Sequence, residues 1–205
     1  MNTRKFVGLF TKTLLIGGIM SLLTSFFVTF TSYKEATDWL DFLGLIVFFF
    51  GLGLVFSVIS QAGFFAYLFI HRFGLSLFRT FWPTVQLVLI GVAVFDLIYL
   101  PYKGADGKFP LYLLIIIALG LLIYGIIIAL IKAKQTHPRA FVPALFLMVV
   151  MTAIEWVPGL QAEGVVYAWL MITSLLACNT YQLLILHHLT RTDDKETTTS
   201  KKVKA

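Results

Sequence analysis

The chain has 205 residues, of which 59% are apolar and only 13% are charged, and its mean hydropathy is +0.91. This composition lies far outside that of an ordinary soluble domain, so most of the chain is expected to lie in lipid. The net charge of +6 does not indicate a nucleic-acid-binding protein, because Lys and Arg occur in short clusters rather than in one patch. The single cysteine, Cys178, excludes an internal disulfide.

Six apolar runs follow one another along the chain, separated by short polar connections. A helix needs about 20 mostly apolar residues to cross a bilayer, so the runs predict an all-α, polytopic membrane protein with six transmembrane helices. The predicted spans are about 13–30, 43–70, 81–100, 111–131, 141–157 and 165–188, within a transmembrane domain of residues 1–189. Residues 190–205 are rich in Thr and Lys and predict a disordered cytoplasmic tail.

The distribution of basic residues predicts how the helices are oriented. Thirteen of the sixteen Lys and Arg residues fall in the N-terminus, the 71–80 and 132–140 connections and the tail. The three others, Lys34, Lys103 and Lys108, lie in the intervening connections. Because cationic connections remain on the cytoplasmic side, both termini are expected in the cytoplasm.

Two acidic residues, Asp96 and Glu155, lie within the predicted spans. A charge inside a bilayer costs at least about 2.5–3.5 kcal/mol and often has a function. The two carboxyls are expected at a similar depth, so they could form a pair that holds a cation or a proton. Alternatively, each lies near a headgroup layer and reaches water. The paired reading gives an alternative function, a small ion-coupled transporter that uses Asp96 and Glu155.

Four amide side chains form a second polar layer, closer to the cytoplasm. Amides can bridge helices in lipid because they both donate and accept hydrogen bonds. This property favours a role in helix association, and a ligand site is the alternative. The four residues are Gln61, Gln86, Asn179 and Gln182.

The stretch from Gln61 to Gly74 is the most distinctive in the chain. It joins an amide within a span to an aromatic helix end and to the basic pair His71 and Arg72. Together with Arg79, this pair is a candidate contact for a lipid phosphate or a partner protein. The alternative is a helix terminus whose cationic residues complement the helix dipole.

The sequence contains no motif of a known catalytic site. It has no Walker lysine motif, no HExxH and no cysteine cluster. His187 and His188 are adjacent and point to different helix faces, so they are a poor metal pair. The sequence therefore predicts no enzymatic activity, no cofactor and no metal.

Five short segments stand out when the chain is taken as a whole: Arg4-Lys5-Phe6, the segment from Thr13 to Gly18, the Gln61-to-Gly74 stretch, Phe78-Arg79 and the segment from Glu155 to Pro158. Together they resemble the KinB-signalling pathway activation protein family of sporulating Bacillus relatives. The resemblance extends over nearly the whole chain in length, number of spans and order of motifs.

This resemblance implies a function that the residues alone do not give. It implies a multi-pass regulator in the bacterial cytoplasmic membrane, in contact with membrane lipids. Its partner would be a membrane sensor histidine kinase that feeds the sporulation phosphorelay. The family has no catalytic residues to carry over, so an accessory activator without an enzymatic step is expected.

Overall fold

The computed structural model describes residues 3–35, 38–104, 110–161 and 165–203. Every regular element within these ranges is a helix, which confirms the prediction of an all-α chain. The helices are α1 (Thr3–Val28), α2 (Phe30–Glu35), α3 (Trp39–Phe78), α4 (Trp82–Gly104), α5 (Leu111–Gln135), α6 (Phe141–Phe146), α7 (Thr152–Gln161) and α8 (Val165–Val203). Two 3-10 turns (Arg79–Phe81 and Pro138–Ala140) precede α4 and α6, and a π-helical segment (Leu147–Met151) joins α6 to α7.

Five stretches of the described residues are long and apolar enough to cross a membrane. They are Val7–Val28, Trp39–Lys103, Leu111–Gln135, Pro138–Val157 and Val166–Leu186. The second stretch is 65 residues long and contains both α3 and α4. The number of crossings and the side on which each terminus lies stay predictions.

Helix α3 continues well beyond the predicted second span. It has 40 residues and therefore a length of about 60 Å, twice the thickness of a bilayer core of about 30 Å. The expectation that residues 71–80 form a connection is wrong for its first part, because the helix runs through Phe78. The chain leaves the helical path at Arg79, whose φ of 47° is a conformation that a non-glycine residue rarely adopts.

The predicted fifth span is the most buried of the five apolar stretches, and its helix is not regular. The π-helical turn Leu147–Met151 interrupts it, and all five residues of this turn are buried. A π-turn holds one more residue than an α-turn and so changes which faces the following residues present. Thr152 and Glu155 come directly after this irregularity.

Helices α1, α3 and α8 form one tightly packed group. Gly17 on α1 and Gly53 on α3 lie at their crossing, where a Cβ on Gly53 would lie 2.4 Å from the carbonyl oxygen of Gly17. The Ser57 hydroxyl lies 2.9 Å from Gly53 O of its own helix, 3.2 Å from Thr13 O on α1 and 3.5 Å from Cys178 Sγ on α8. Two glycines thus let the backbones approach closely enough for hydroxyls to bond to neighbouring helices.

In the tail, helix α8 extends through Val203, and the side chains described in it end at Leu186. His187 and His188 therefore lie outside the side chains that the structure describes. The disorder of residues 190–205 stays a prediction.

The glycine crossing gives a test of the fold. Gly53→Ala should destabilise the protein by about 1–3 kcal/mol, because the new methyl meets backbone atoms that cannot move independently. Gly51→Ala is the matched control on the same helix, since nothing lies within 4 Å of its Cβ position. The control should be neutral or more stable by up to about 1 kcal/mol. Thermal unfolding of both variants in one detergent measures this difference, and equal Tm values would contradict it.

Candidate functional site

A cluster of buried polar side chains joins α3, α7 and α8, and we call it the polar cluster. It consists of Ser60, Thr152, Glu155 and Asn179. The Ser60 hydroxyl donates to Asn179 Oδ1 at 2.7 Å. Asn179 Nδ2 donates to Thr152 Oγ1 at 2.9 Å and to Glu155 Oε2 at 3.0 Å. The Asn179 amide therefore ties three helices together through three hydrogen bonds.

Glu155 lies inside the bundle and does not extend to a water-facing end. Its side chain is only 6% exposed. Oε2 accepts the bond from Asn179, whereas Oε1 has no hydrogen-bond partner among the described residues. Oε1 occupies the space that a side chain at position 63 would fill, because a Cβ on Gly63 would lie 1.7 Å from it. Gly63 therefore makes room for the carboxyl group.

Local structure explains how α7 presents these groups. The π-helical turn ends at Met151, so the change in helix register falls directly before Thr152. The adjacent Trp156 is buried, and its Nε1 donates to Ala168 O on α8 at 2.9 Å. The start of α7 is thus held against α8 on both sides of Glu155.

Gln61 and Gln182 lie beside the polar cluster. Gln61 follows Ser60 on α3, and Gln182 lies one helical turn after Asn179 on α8. Both line a small cavity of about 10 Å³, which is close to the least space that a water molecule needs. The Oε1 atom of each has no hydrogen-bond partner in the part of the chain that the structure describes.

The other two candidates, Asp96 and Gln86, lie on α4 and do not join the cluster. Asp96 is half-buried, and within the described ranges no hydrogen bond connects it to Glu155. The proposed pairing of the two carboxyls therefore stays a prediction without a contact that supports it. Gln86 is fully buried, and neither polar atom of its side chain has a partner among the described residues.

The basic candidates lie where α3 ends and α4 begins, and we call this region the α3–α4 corner. The Trp82 indole donates from Nε1 to His71 Nδ1 at 3.1 Å and stacks on Phe78. Its ring fits against Gly74, where a Cβ would lie 2.5 Å from ring atoms. The Nδ1 atom of His71 is thus occupied by a hydrogen bond from the indole, whereas Arg72 and Arg79 remain exposed. These two arginines are free to contact a lipid or a protein.

Sequence reasoning missed three members of the site. Ser60 and Thr152 are single hydroxyls within apolar runs, and Gly63 is one glycine among fifteen. Hydroxyls in apolar helices usually bond to their own backbone, so their type alone does not indicate a cluster. Their positions in the sequence could have indicated them. Ser60 and Gly63 lie within two residues of Gln61, and Thr152 lies three residues before Glu155.

Replacing the Asn179 amide with an aliphatic side chain measures how much the polar cluster contributes to stability. Asn179→Leu should cost at least about 1–3 kcal/mol, because it leaves Ser60, Thr152 and Glu155 without their common partner. Gln86→Leu is the control, since it removes an equally buried amide for which the described residues provide no bond.

The control should be neutral or stabilising, because it removes polar atoms that are buried without a partner. Chemical denaturation of both variants in the same lipid or detergent provides the comparison. A larger loss for Gln86→Leu than for Asn179→Leu would contradict the assignment of the cluster.

Comparisons with known proteins add evidence that does not depend on this geometry. The family model described as KinB-signalling pathway activation in sporulation matches residues 17–189. The KinB-signaling pathway activation protein of Bacillus subtilis (strain 168) is 37% identical over 202 residues, which cover 91% of this chain and 97% of the relative. No solved structure gives a significant match. The range of the family match includes the whole polar cluster and the α3–α4 corner.

Proposed function

Because the chain belongs to the KinB-signalling pathway activation family of sporulation, we propose that it is a membrane-integral activator of a sensor histidine kinase. On this proposal the kinase feeds the sporulation phosphorelay, and the protein itself performs no enzymatic step. The observation that carries the proposal is similarity over nearly the full length of both chains to a relative named KinB-signaling pathway activation protein.

The surface of the bundle supports a location in the membrane. Large apolar side chains are exposed on several helices, among them Phe27 at 84%, Leu40 at 77% and Phe69 at 71%. A soluble monomer rarely exposes extended apolar surface, whereas lipid tails cover it without cost. We therefore propose a multi-pass protein of the bacterial cytoplasmic membrane with six crossings and both termini in the cytoplasm.

The α3–α4 corner is the proposed cytoplasmic contact with the kinase. Arg72 and Arg79 are exposed there, and the buried Trp82 fixes the end of α3 beneath them. Arg79 keeps a long charged side chain where glycine would fit the backbone with less strain. Strain of this kind often occurs at sites whose side chain is needed for a contact. Contact with membrane-spanning helices of the kinase would complete the interface.

Deletion of the gene is the direct test of the pathway. Spore formation and phosphorelay output should both fall in a strain that depends on the kinase, and the wild-type gene should restore them. A strain that sporulates through a different kinase is the control and should be unaffected. Normal output in the kinase-dependent strain would contradict the proposal.

Substitutions at Arg79 separate its backbone from its charge. Arg79→Gly should stabilise the protein by about 1 kcal/mol, because it relieves the positive φ, and should still reduce phosphorelay output. Arg79→Ala should reduce output without the gain in stability. Arg139→Ala, at an exposed arginine of another connection, is the control. Thermal unfolding and a phosphorelay reporter measure the two effects, and full output from both Arg79 variants at normal protein levels would exclude the contact.

A further inference from the structure

The polar cluster has the features of a binding site that the signalling role does not explain. We propose that Glu155, Asn179, Thr152 and Ser60 form a site for one small cation, either a proton or a monovalent metal ion such as Na⁺. The inference concerns binding to the protein itself and does not depend on the proposed function.

The first step is the unbalanced carboxylate. In the described part of the chain, Asn179 alone donates to Glu155, and an amide carries no positive charge. The Oε1 atom is buried without a hydrogen-bond partner. An ionised carboxylate buried in this way is costly unless a positive charge accompanies it. A cation on Oε1 would remove this cost.

The second step is the set of neighbouring ligands. The Asn179 nitrogen donates to both Thr152 Oγ1 and Glu155 Oε2, and the Asn179 oxygen accepts from Ser60 Oγ. The oxygens left for a cation are therefore those of the Glu155 carboxyl and of the Thr152 and Ser60 hydroxyls. Carboxylate and hydroxyl oxygens are hard ligands that suit alkali cations and protons rather than soft metals. Cys178 precedes Asn179, and its thiol donates to Thr13 O on α1.

The third step concerns the other titratable groups on the elements packed around α7. Tyr67 on α3 lies one turn beyond Gly63 and packs against Phe146, and Asp96 on α4 is half-buried. On α8, Cys178 interacts electrostatically with Glu155, but a thiol carries no positive charge. On α5, which packs against α6 and the π-helical turn, Lys132 donates to Leu183 O on α8 at 2.6 Å. None of the hydrogen bonds found among the described residues joins these groups to Glu155. The charge of the carboxyl is therefore left for a ligand to balance.

The fourth step is a small polar cavity near the cluster. Gln61 and Gln182 line it, one residue after Ser60 on α3 and one helical turn after Asn179 on α8. Their unpartnered carbonyl oxygens can accept hydrogen bonds from a water molecule. Binding of a proton would place it on Oε1 and neutralise the carboxyl, while Oε2 would still accept the bond from Asn179.

The experiment uses the full chain purified into lipid nanodiscs. Its Tm is measured at constant ionic strength while NaCl replaces choline chloride. A bound sodium ion stabilises the folded state, so Tm should rise with Na⁺ and then level off. Glu155→Gln should abolish the rise, whereas Asp96→Asn, which removes a carboxyl outside the cluster, should keep it. This result would identify a metal ion as the occupant.

A second measurement detects the proton. Infrared spectroscopy of the same sample should show the carbonyl band of a protonated carboxylic acid if the occupant is a proton. The band should vanish in Glu155→Gln and persist in Asp96→Asn. Thr152→Val keeps the carboxyl and removes one ligand oxygen, so it should weaken the sodium response or shift the infrared band. This variant replaces Glu155→Gln in both measurements if Glu155→Gln does not fold.

The outcome that overturns the inference is equally definite. A wild-type protein with neither a sodium-dependent Tm nor a protonated-carboxyl band has no cation at Glu155. A response that survives both Glu155→Gln and Thr152→Val would place the cation elsewhere and would also overturn it. Because purified protein is used, a loss of signalling in cells is a separate result that concerns only the proposed function.

Discussion

The Asn179 amide is the interaction on which the interior of this bundle depends. Its oxygen accepts from Ser60 on α3, and its nitrogen donates to Thr152 and Glu155 on α7. In an interior without bulk water, each of these polar groups is costly unless it finds a partner in the protein. The Asn179 side chain has both a donor and an acceptor, so it satisfies several of these polar groups at once. Because hydrogen bonds are directional, this bonding fixes the relative positions of three helices more narrowly than apolar contacts would.

Close backbone approach makes this arrangement possible. Gly63 leaves space for the carboxyl of Glu155, and Gly17 and Gly53 let α1 and α3 cross closely enough for the Ser57 hydroxyl to reach α1. The π-helical turn Leu147–Met151 directly precedes the part of α7 that faces the amide. Irregular helical turns are common at functional sites, since they aim side chains in ways that a regular helix does not. The irregularity and the unbalanced carboxyl therefore occur together in one part of the molecule.

A single helix carries both regions of interest. Ser60 belongs to the polar cluster and Gly63 makes room for it, and the same helix, α3, ends at the α3–α4 corner with its exposed arginines. Family membership concerns the pathway in which the protein acts, whereas the cluster concerns what the bundle can hold. A site for a small cation in one part of α3 and a partner surface at its end are compatible, because they use different residues.

The sequence alone determined the all-helical architecture, because long apolar runs must satisfy their backbone hydrogen bonds within each segment. It also indicated Glu155 and the amides as unusual, since polar groups in such runs need a reason, and its motifs pointed to the family that the comparisons confirm. Only the tertiary structure decided that Glu155 accepts a hydrogen bond from Asn179 and packs against Gly63. It also decided that α3 continues through residues 71–78 and that Trp82 donates a hydrogen bond to His71. These facts depend on the rotation and crossing of helices distant in sequence, which apolar patterns leave open because exposed and buried positions of these helices carry the same residue types.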